Sequence, residues 1–209
     1  MSLVDRHPEL APRLTEDDTA RGQRARVLAA MAGVVADKGY AAATVADVVR
    51  EAGVSRSTFY DLFASKEACF LEAYRHGVDV MIDAVRAAVR GATEWRAQLR
   101  AGVRAYLSTL AAEPRFARTY LIEIHVAGPP ALEARTEALR RFARRYAAAA
   151  REAGVDVPHP DALLILCAGT EQLCAERVRV GEHARLGELE DVFCICAEAV
   201  LLGAAPEED

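Results

Sequence analysis

The chain has 209 residues, of which 52% are hydrophobic and 27% are charged, and its formal net charge is −5. This composition is sufficient for a buried core and excludes a chain that is disordered throughout. No apolar stretch approaches the roughly 20 residues of a transmembrane helix, and residues 1–8 lack the apolar region of a signal peptide. We therefore expect a cytoplasmic protein without membrane contact.

Charge and cysteine usage narrow the possible partners further. Residues 19–66 hold seven basic and four acidic groups, so a polyanion is expected to bind near this end of an acidic chain. The cysteines are odd in number and include no CxxC pair, which argues against a disulfide framework and a zinc site. We expect no metal and no cofactor, and we expect the cysteines to be small buried hydrophobic residues. The alternative is that the two cysteines seven residues apart form a redox pair or bind a metal. The five positions are Cys69, Cys167, Cys174, Cys194 and Cys196.

Hydrophobic periodicity predicts helices and no strands along the whole chain. Two prolines and an acidic run predict a flexible arm over 1–18, followed by a first helix from about Thr19 to Lys38. Thr44 and Asp47 have the spacing of a capping box, and Gly53 is expected to end the second helix. The third and fourth helices are capped by Ser55 and Ser65 and reach about residues 63 and 90.

Five longer helices are predicted in the remaining sequence. Thr93 is expected to cap the fifth helix, and Pro114 to open a sixth that runs to about Val126. The last three are predicted over about 129–152, 160–180 and 188–202. The fold class is thus all-α, with a helix-turn-helix domain at 19–65, a larger helical domain at 66–203 and a polar tail at 204–209.

The segment Gly53-Val54-Ser55 joins two short helices through a tight turn, which is the helix-turn-helix arrangement. Phe59, Leu62 and Phe63 share one face of the third helix, so its opposite face is free to enter a DNA groove. A plain helical hairpin is the other interpretation of this spacing, and the two stay open on spacing alone.

The sequence from Gly39-Tyr40 through Thr44-Val45-Ala46-Asp47, Ala52-Gly53-Val54-Ser55 and Thr58-Phe59-Tyr60 to Lys66-Glu67 closely resembles the TetR family of bacterial repressors. The resemblance covers about 30 residues and is specific, whereas the rest of the chain matches only in the number and length of its helices. It implies an all-α homodimer with an N-terminal DNA-binding domain and a C-terminal domain for ligand binding and dimerisation.

The resemblance also implies roles for individual residues. Thr44, Tyr60 and Lys66 correspond to phosphate contacts, and the capping hydroxyl of Ser55 can face phosphates as well. Residues nearest to bases and backbone are Arg56, Ser57 and Thr58. Asp61 departs from the pattern, because a carboxylate near phosphates is unfavourable; it is expected either to orient a nearby arginine or to accept from a cytosine amino group.

The C-terminal helices contain candidates for a ligand pocket and for a dimer interface. Aromatic and polar groups predict a pocket for a small, largely apolar effector, formed by Trp95, Tyr106, Tyr120, Glu123, His125, Tyr146 and Cys167. The last two helices are apolar on more than one side, so one side is expected to meet a second copy of the chain. These interface candidates are Leu166, Leu173, Leu189, Phe193, Cys196 and Val200.

The function predicted from sequence is a repressor that binds a palindromic double-stranded DNA operator as a homodimer and is released by an effector. One alternative is a regulator without a small-molecule ligand, controlled by a protein partner or by thiol oxidation. A helical enzyme that uses Glu123 and His125 as acid and base is a further alternative, although no catalytic triad, metal set or phosphate loop accompanies them.

Overall fold

The computed structural model describes residues 16–203, which fold into nine α-helices and two 3-10 segments without a strand. The all-α fold class predicted from sequence is confirmed. Residues 1–15 of the expected arm and the tail at 204–209 lie outside the described residues. The helices are α1 (Glu16–Lys38), α2 (Val45–Ala52), α3 (Arg56–Leu62), α4 (Lys66–Val89), α5 (Trp95–Ala112), α6 (Pro114–Leu121), α7 (Pro129–Glu152), α8 (Pro160–Arg179) and α9 (Glu190–Leu202).

Two helix starts differ from those expected. Helix α1 begins at Glu16, three residues before the expected start, so residues 16–18 are helical; acidic residue types are favoured in a first turn. Thr93 does not cap α5, whose N-cap is Glu94 without a side-chain cap bond. Instead the Gln98 side chain donates to the Ala92 carbonyl at 2.9 Å, so the turn before α5 is closed from within the helix.

The sixth helix is shorter than expected, because α6 ends at Leu121 and a 3-10 segment follows at Glu123–His125. The tighter turn buries the side chains of both Glu123 and Ile124, which a continued α-helix would rotate to different neighbours. A second 3-10 segment, His183–Leu189, precedes α9 and moves its start to Glu190.

Helices α1, α2 and α3 enclose a small apolar core together with the start of α4. Val27, Met31 and Val35 of α1 are fully buried against Val48 of α2 and Phe59 of α3. Helix α4 has 24 residues, which corresponds to about 36 Å at 1.5 Å per residue. It therefore reaches from this core into the C-terminal helices, where Val78 and Met81 are buried.

Helix α6 forms a second connection between the two regions, in addition to the covalent one through α4. The Thr119 hydroxyl donates to the Ala32 carbonyl of α1 at 3.0 Å. Arg115 forms an ion pair with Asp37 at 2.6 Å, and its guanidinium lies so close to Gly33 that a Cβ there would be 2.8 Å away. The C-terminal domain thus packs directly on α1. No helix among residues 16–203 is long and apolar enough to span a membrane.

Candidate DNA-binding and ligand-binding sites

The turn between α2 and α3 is built by local capping at both of its ends. Gly53 adopts φ 63°, ψ 39°, a left-handed conformation, and its N–H bonds to the last carbonyls of α2. Ser55 then caps α3 and accepts from the Thr58 N–H at 3.0 Å. These two caps fix the angle between the helices, as the sequence predicted.

The recognition helix α3 is amphipathic in the predicted sense. Phe59 is fully buried and Phe63, which follows the helix, is 4% exposed. Ser57, Tyr60 and Asp61 point away from this core and are exposed. The apolar side therefore anchors α3, and its polar side faces outward as a reading helix requires.

Polar contacts already order the exposed side of α3. The Ser55 hydroxyl lies 2.7 Å from that of Ser57 and 2.8 Å from that of Thr58. Arg56 lies over the Tyr60 ring at 5.6 Å from its centroid and donates to the phenol at 3.4 Å. The arginine and phenol are thus held as neighbours on one surface. Within the described residues Asp61 has no ion-pair partner, so the expected arginine-orienting role is not seen there.

Thr44 takes part in a dense network around Asp47 at the start of α2. The capping box is present: Thr44 accepts from the Asp47 N–H, while Asp47 accepts from both the Thr44 backbone and the Thr44 hydroxyl. Lys38 at 2.6 Å and Arg50 at 2.7 Å also donate to Asp47. These bonds, that of Lys38 foremost, lower the pKa of the Asp47 carboxyl far below its ordinary value. Since the Thr44 hydroxyl hydrogen is used internally, its phosphate contact stays a prediction.

Lys66 has internal partners that the sequence did not indicate. Its Nζ donates to the carbonyls of Tyr40 at 2.9 Å and Ala43 at 3.0 Å, and lies 4.3 Å from the centroid of the Tyr40 ring. Two of its three hydrogens thus hold the turn between α1 and α2, and one remains for a phosphate. Lys66 is a positioning residue for the helix-turn-helix, and its DNA contact stays a prediction.

The same turn is held from the other side by Glu123, which belongs to the C-terminal domain. Glu123 Oε2 accepts from the Tyr40 N–H at 2.9 Å, and Oε1 lies 3.2 Å from Arg118. Gly39 has φ 82°, and a Cβ at this position would lie 3.5 Å from the Glu123 carboxylate. A buried carboxylate 83 residues away in sequence therefore fixes the start of the helix-turn-helix.

A cavity of about 150 Å³ lies between α5 and α7, with α4, α6, α8 and α9 completing its walls. Five of the seven predicted pocket residues line it: Trp95, Tyr106, Tyr120, Tyr146 and Cys167. The other two do not, which corrects the prediction. Glu123 is turned toward Tyr40 by the 3-10 segment, and His125 is exposed, with its Nε2 4.0 Å from Glu171. The two side chains therefore contact different groups, and neither lines the cavity.

The polar group that the sequence analysis missed in this cavity is Glu171 of α8. Its side chain is only 4% exposed, and Oε1 accepts from Arg135 Nε of α7 at 2.9 Å. Burial raises the pKa of this carboxyl, and the guanidinium opposes that shift. In the sequence, Glu171 follows an apolar run, and no spacing rule indicates Arg135 as its partner because the two residues lie on different helices.

Four of the five cysteines are buried. Cys69, Cys167 and Cys174 are buried, and burial raises the pKa of each thiol to about 12. Their thiolate fraction near neutral pH is therefore very small. Cys196 on α9 is exposed.

The predicted dimer residues fall into two groups. Leu173 and Cys196 are exposed and Val200 is half-buried, so they are available to a partner. The other three pack in the protein's own core and correct the prediction: Leu166, Leu189 and Phe193. The outward apolar surface of α8 and α9 instead contains Ile165 and Ile195, which are 73% and 67% exposed. Helix α9 packs on α5, where Arg104 pairs with Glu190 at 2.7 Å, and this packing leaves Ile195 on the outer side.

Comparison with known proteins gives a family match for the helix-turn-helix segment. Residues 27–73 match the family model described as bacterial regulatory proteins, tetR family. The HTH-type transcriptional activator FasR of Mycolicibacterium smegmatis is 34% identical over 129 residues, which are 58% of this chain and 58% of that protein. The match thus spans little more than half of the curated relative.

Solved structures share the fold at low sequence identity. The fatty acid degradation regulator FadR of Bacillus halodurans has a TM-score of 0.74 at 18% identity, over 84% of this chain and 94% of that one. FadR of Bacillus subtilis, solved in complex with stearoyl-CoA, has a TM-score of 0.72 at 18% identity, over 87% of this chain and 99% of that one. A regulator from Rhodococcus sp. RHA1 reaches 0.72 at 24% identity, over 88% and 99%.

Proposed function

We propose, from the match of residues 27–73 to the tetR family of bacterial regulatory proteins, that the chain is a ligand-responsive transcriptional repressor. It binds a palindromic operator as a homodimer and is released by a small, largely apolar effector. A cytoplasmic location belongs to this proposal, since operator DNA lies there.

The observation that carries the proposal is the exposed polar side of α3, anchored from behind by Phe59 and Phe63. Arg56 and Ser57 stand at its first turn, where recognition helices contact base edges. The phosphate contacts in this proposal are made by Thr44, Ser55, Tyr60 and Lys66. The helix-turn-helix needs two copies for a palindrome, whose half-sites lie about 34 Å or a multiple of it apart.

The exposed apolar surface of α8 and α9 supports the homodimer. Ile165, Leu173 and Ile195 would be costly to leave in water, and a two-fold axis brings the same surface of a second copy against them. In this proposal the four helices of two chains pack as one bundle and set the separation of the two recognition helices.

The cavity supports regulation by an effector, and α6 supports its coupling to DNA. Tyr120 of α6 lines the cavity and stacks on Tyr74 of α4 at 5.5 Å between ring centroids. Glu123, directly after the same helix, binds the Tyr40 turn at 2.9 Å. An effector that displaces Tyr120 would move α6 and so the start of the helix-turn-helix. Differential affinity for the two states then couples the sites, typically by about 1–3 kcal/mol.

A second candidate function is activation, because the curated relative FasR is named an activator. The same DNA-binding and effector sites serve both signs of regulation. A reporter placed downstream of the operator separates them, since deleting the regulator raises expression for a repressor and lowers it for an activator.

The operator is tested by selecting random DNA duplexes on the purified protein. We expect enrichment of an inverted repeat and loss of preference at particular base pairs in Arg56→Ala. Arg90→Ala, an exposed arginine at the end of α4, is the matched control and should bind normally. Recovery of no common sequence, or equal effects of the two variants, would contradict the proposal.

A further inference from the structure

The cavity is elongated, and its two ends differ in exposure. Its lining residues on α7 run from Leu139 to Glu152, which lie about 20 Å apart along the helix at 1.5 Å per residue. Leu139 is buried at one end, whereas Glu152 is exposed at the other. The end of the cavity beside Glu152 is therefore nearer to solvent than the end beside Leu139.

The buried end carries one carboxylate oxygen that has no hydrogen-bond partner among the described residues. Glu171 Oε2 is buried and accepts no hydrogen bond within the described residues. Arg135 Nη2 lies 2.8 Å away and balances the charge of this oxygen. A buried acceptor without a donor is unfavourable, and a ligand that donates to it is correspondingly favoured.

Two phenols complete this end of the cavity. Tyr106 and Tyr120 line it, and their hydroxyls bond to no other group among the described residues. Burial raises the pKa of both phenols well above the ordinary value, and the charge of Glu171 adds to the effect, which is consistent with closely spaced groups. The phenols stay protonated and can donate to a ligand oxygen.

We propose that the effector is an elongated apolar molecule with a hydroxyl group at its buried end, which donates to Glu171 and accepts from Tyr106 or Tyr120. The inference rests on the proposed function, since it names the chemical class of the effector. A hydroxyl is a donor and an acceptor at once, and so matches both kinds of group. An alkyl end leaves Glu171 unsatisfied, and a carboxylate end is repelled by it.

The test compares three probes of similar length: 1-decanol, its methyl ether and decanoate. Trp95 is the only tryptophan of the chain and lines the cavity, so its fluorescence reports binding. We expect the alcohol to bind at least about tenfold more tightly than the ether, which accepts but cannot donate. Decanoate should bind more weakly than the alcohol.

Two variants connect this selectivity to Glu171. Glu171→Gln removes the negative charge and should improve decanoate relative to decanol by about tenfold or more. Arg135→Met/Glu171→Leu replaces both partners by apolar groups of similar volume, which a fold tolerates better than one unpaired charge. In that double variant the alcohol and the ether should bind alike.

Equal affinity for alcohol and ether in the unmodified protein would overturn the inference. So would an alcohol preference that survives in the double variant, or the failure of all three probes to bind. Operator binding is measured on the same preparations without a probe. Absence of operator binding would contradict the proposed regulatory function, even if the protein still prefers the alcohol to the ether. Operator binding without that preference would refute only the inference about the effector.

Discussion

Glu123→Ala should weaken the attachment of the helix-turn-helix to the C-terminal domain. The change removes the acceptor of the Tyr40 N–H at 2.9 Å, and a hydrogen bond to a charged group is worth about 1.5–3 kcal/mol. Arg118 is 48% exposed, so its pair with Glu123 adds little. We expect the free energy of unfolding to fall by about 2 kcal/mol, which lowers Tm by about 4–8 °C for a chain of this size.

The same variant should also reduce the communication between effector and operator. If α6 transmits through Glu123, effector affinities measured in free protein and in the operator complex should converge in Glu123→Ala. Glu123→Gln keeps an acceptor oxygen for the Tyr40 N–H, so its coupling between effector and operator should lie between that of the unmodified protein and that of Glu123→Ala. Urea denaturation gives the stability, and calorimetric titration of the effector with and without operator gives the coupling.

Glu133→Ala is the matched control, because Glu133 is an exposed glutamate on α7. Its unfolding free energy should stay within about 0.5 kcal/mol of the unmodified protein. If Glu123→Ala is as stable as Glu133→Ala and its effector–operator coupling is unchanged, the hydrogen bond between Glu123 and Tyr40 contributes neither to stability nor to coupling.

Three further outcomes can be measured. Lys66→Ala should weaken binding to every duplex and reduce the salt slope by about one unit, and an unchanged slope would leave Lys66 with the α1–α2 turn alone. Ile195→Asp should stay folded and sediment as a monomer, whereas Phe193→Asp should unfold because Phe193 is only 4% exposed. Val80→Asp, at another exposed position, is the control, and a dimeric Ile195→Asp variant would place the interface elsewhere. Asp47 has a depressed pKa, chiefly through Lys38, so its stabilising contribution is present above the ordinary value of 3.8 and is lost as pH falls below it. Acid titration of Tm should therefore be shallower in Asp47→Asn, and equal slopes would count against the network.

Local structure was predictable from sequence because its causes are local. The caps at Thr44 and Ser55 and the left-handed Gly53 depend on residues three or four apart, and all three are present. The partners of Glu123 and Glu171 depend on how distant helices pack, and no spacing rule reports that. Both were visible only as glutamates near apolar residues.

The dimer surface shows the same limit. Helix α9 is apolar on several sides, so periodicity alone does not decide which side faces its own core. Packing against α5 turns Phe193 inward and leaves Ile195 outward. The existence of an extra apolar side was therefore predictable, but its residues were not.

Lysine is scarce in this chain, and its placement has a practical consequence. Lys38 and Lys66 are the only two, and both amines are bonded around the α1–α2 turn, to Asp47 and to the carbonyls of Tyr40 and Ala43. Acylation of side-chain amines would thus strike the helix-turn-helix and spare the C-terminal domain. We therefore expect amine coupling to a sensor surface to disturb the helix-turn-helix, whereas capture through an affinity tag leaves both lysines unmodified.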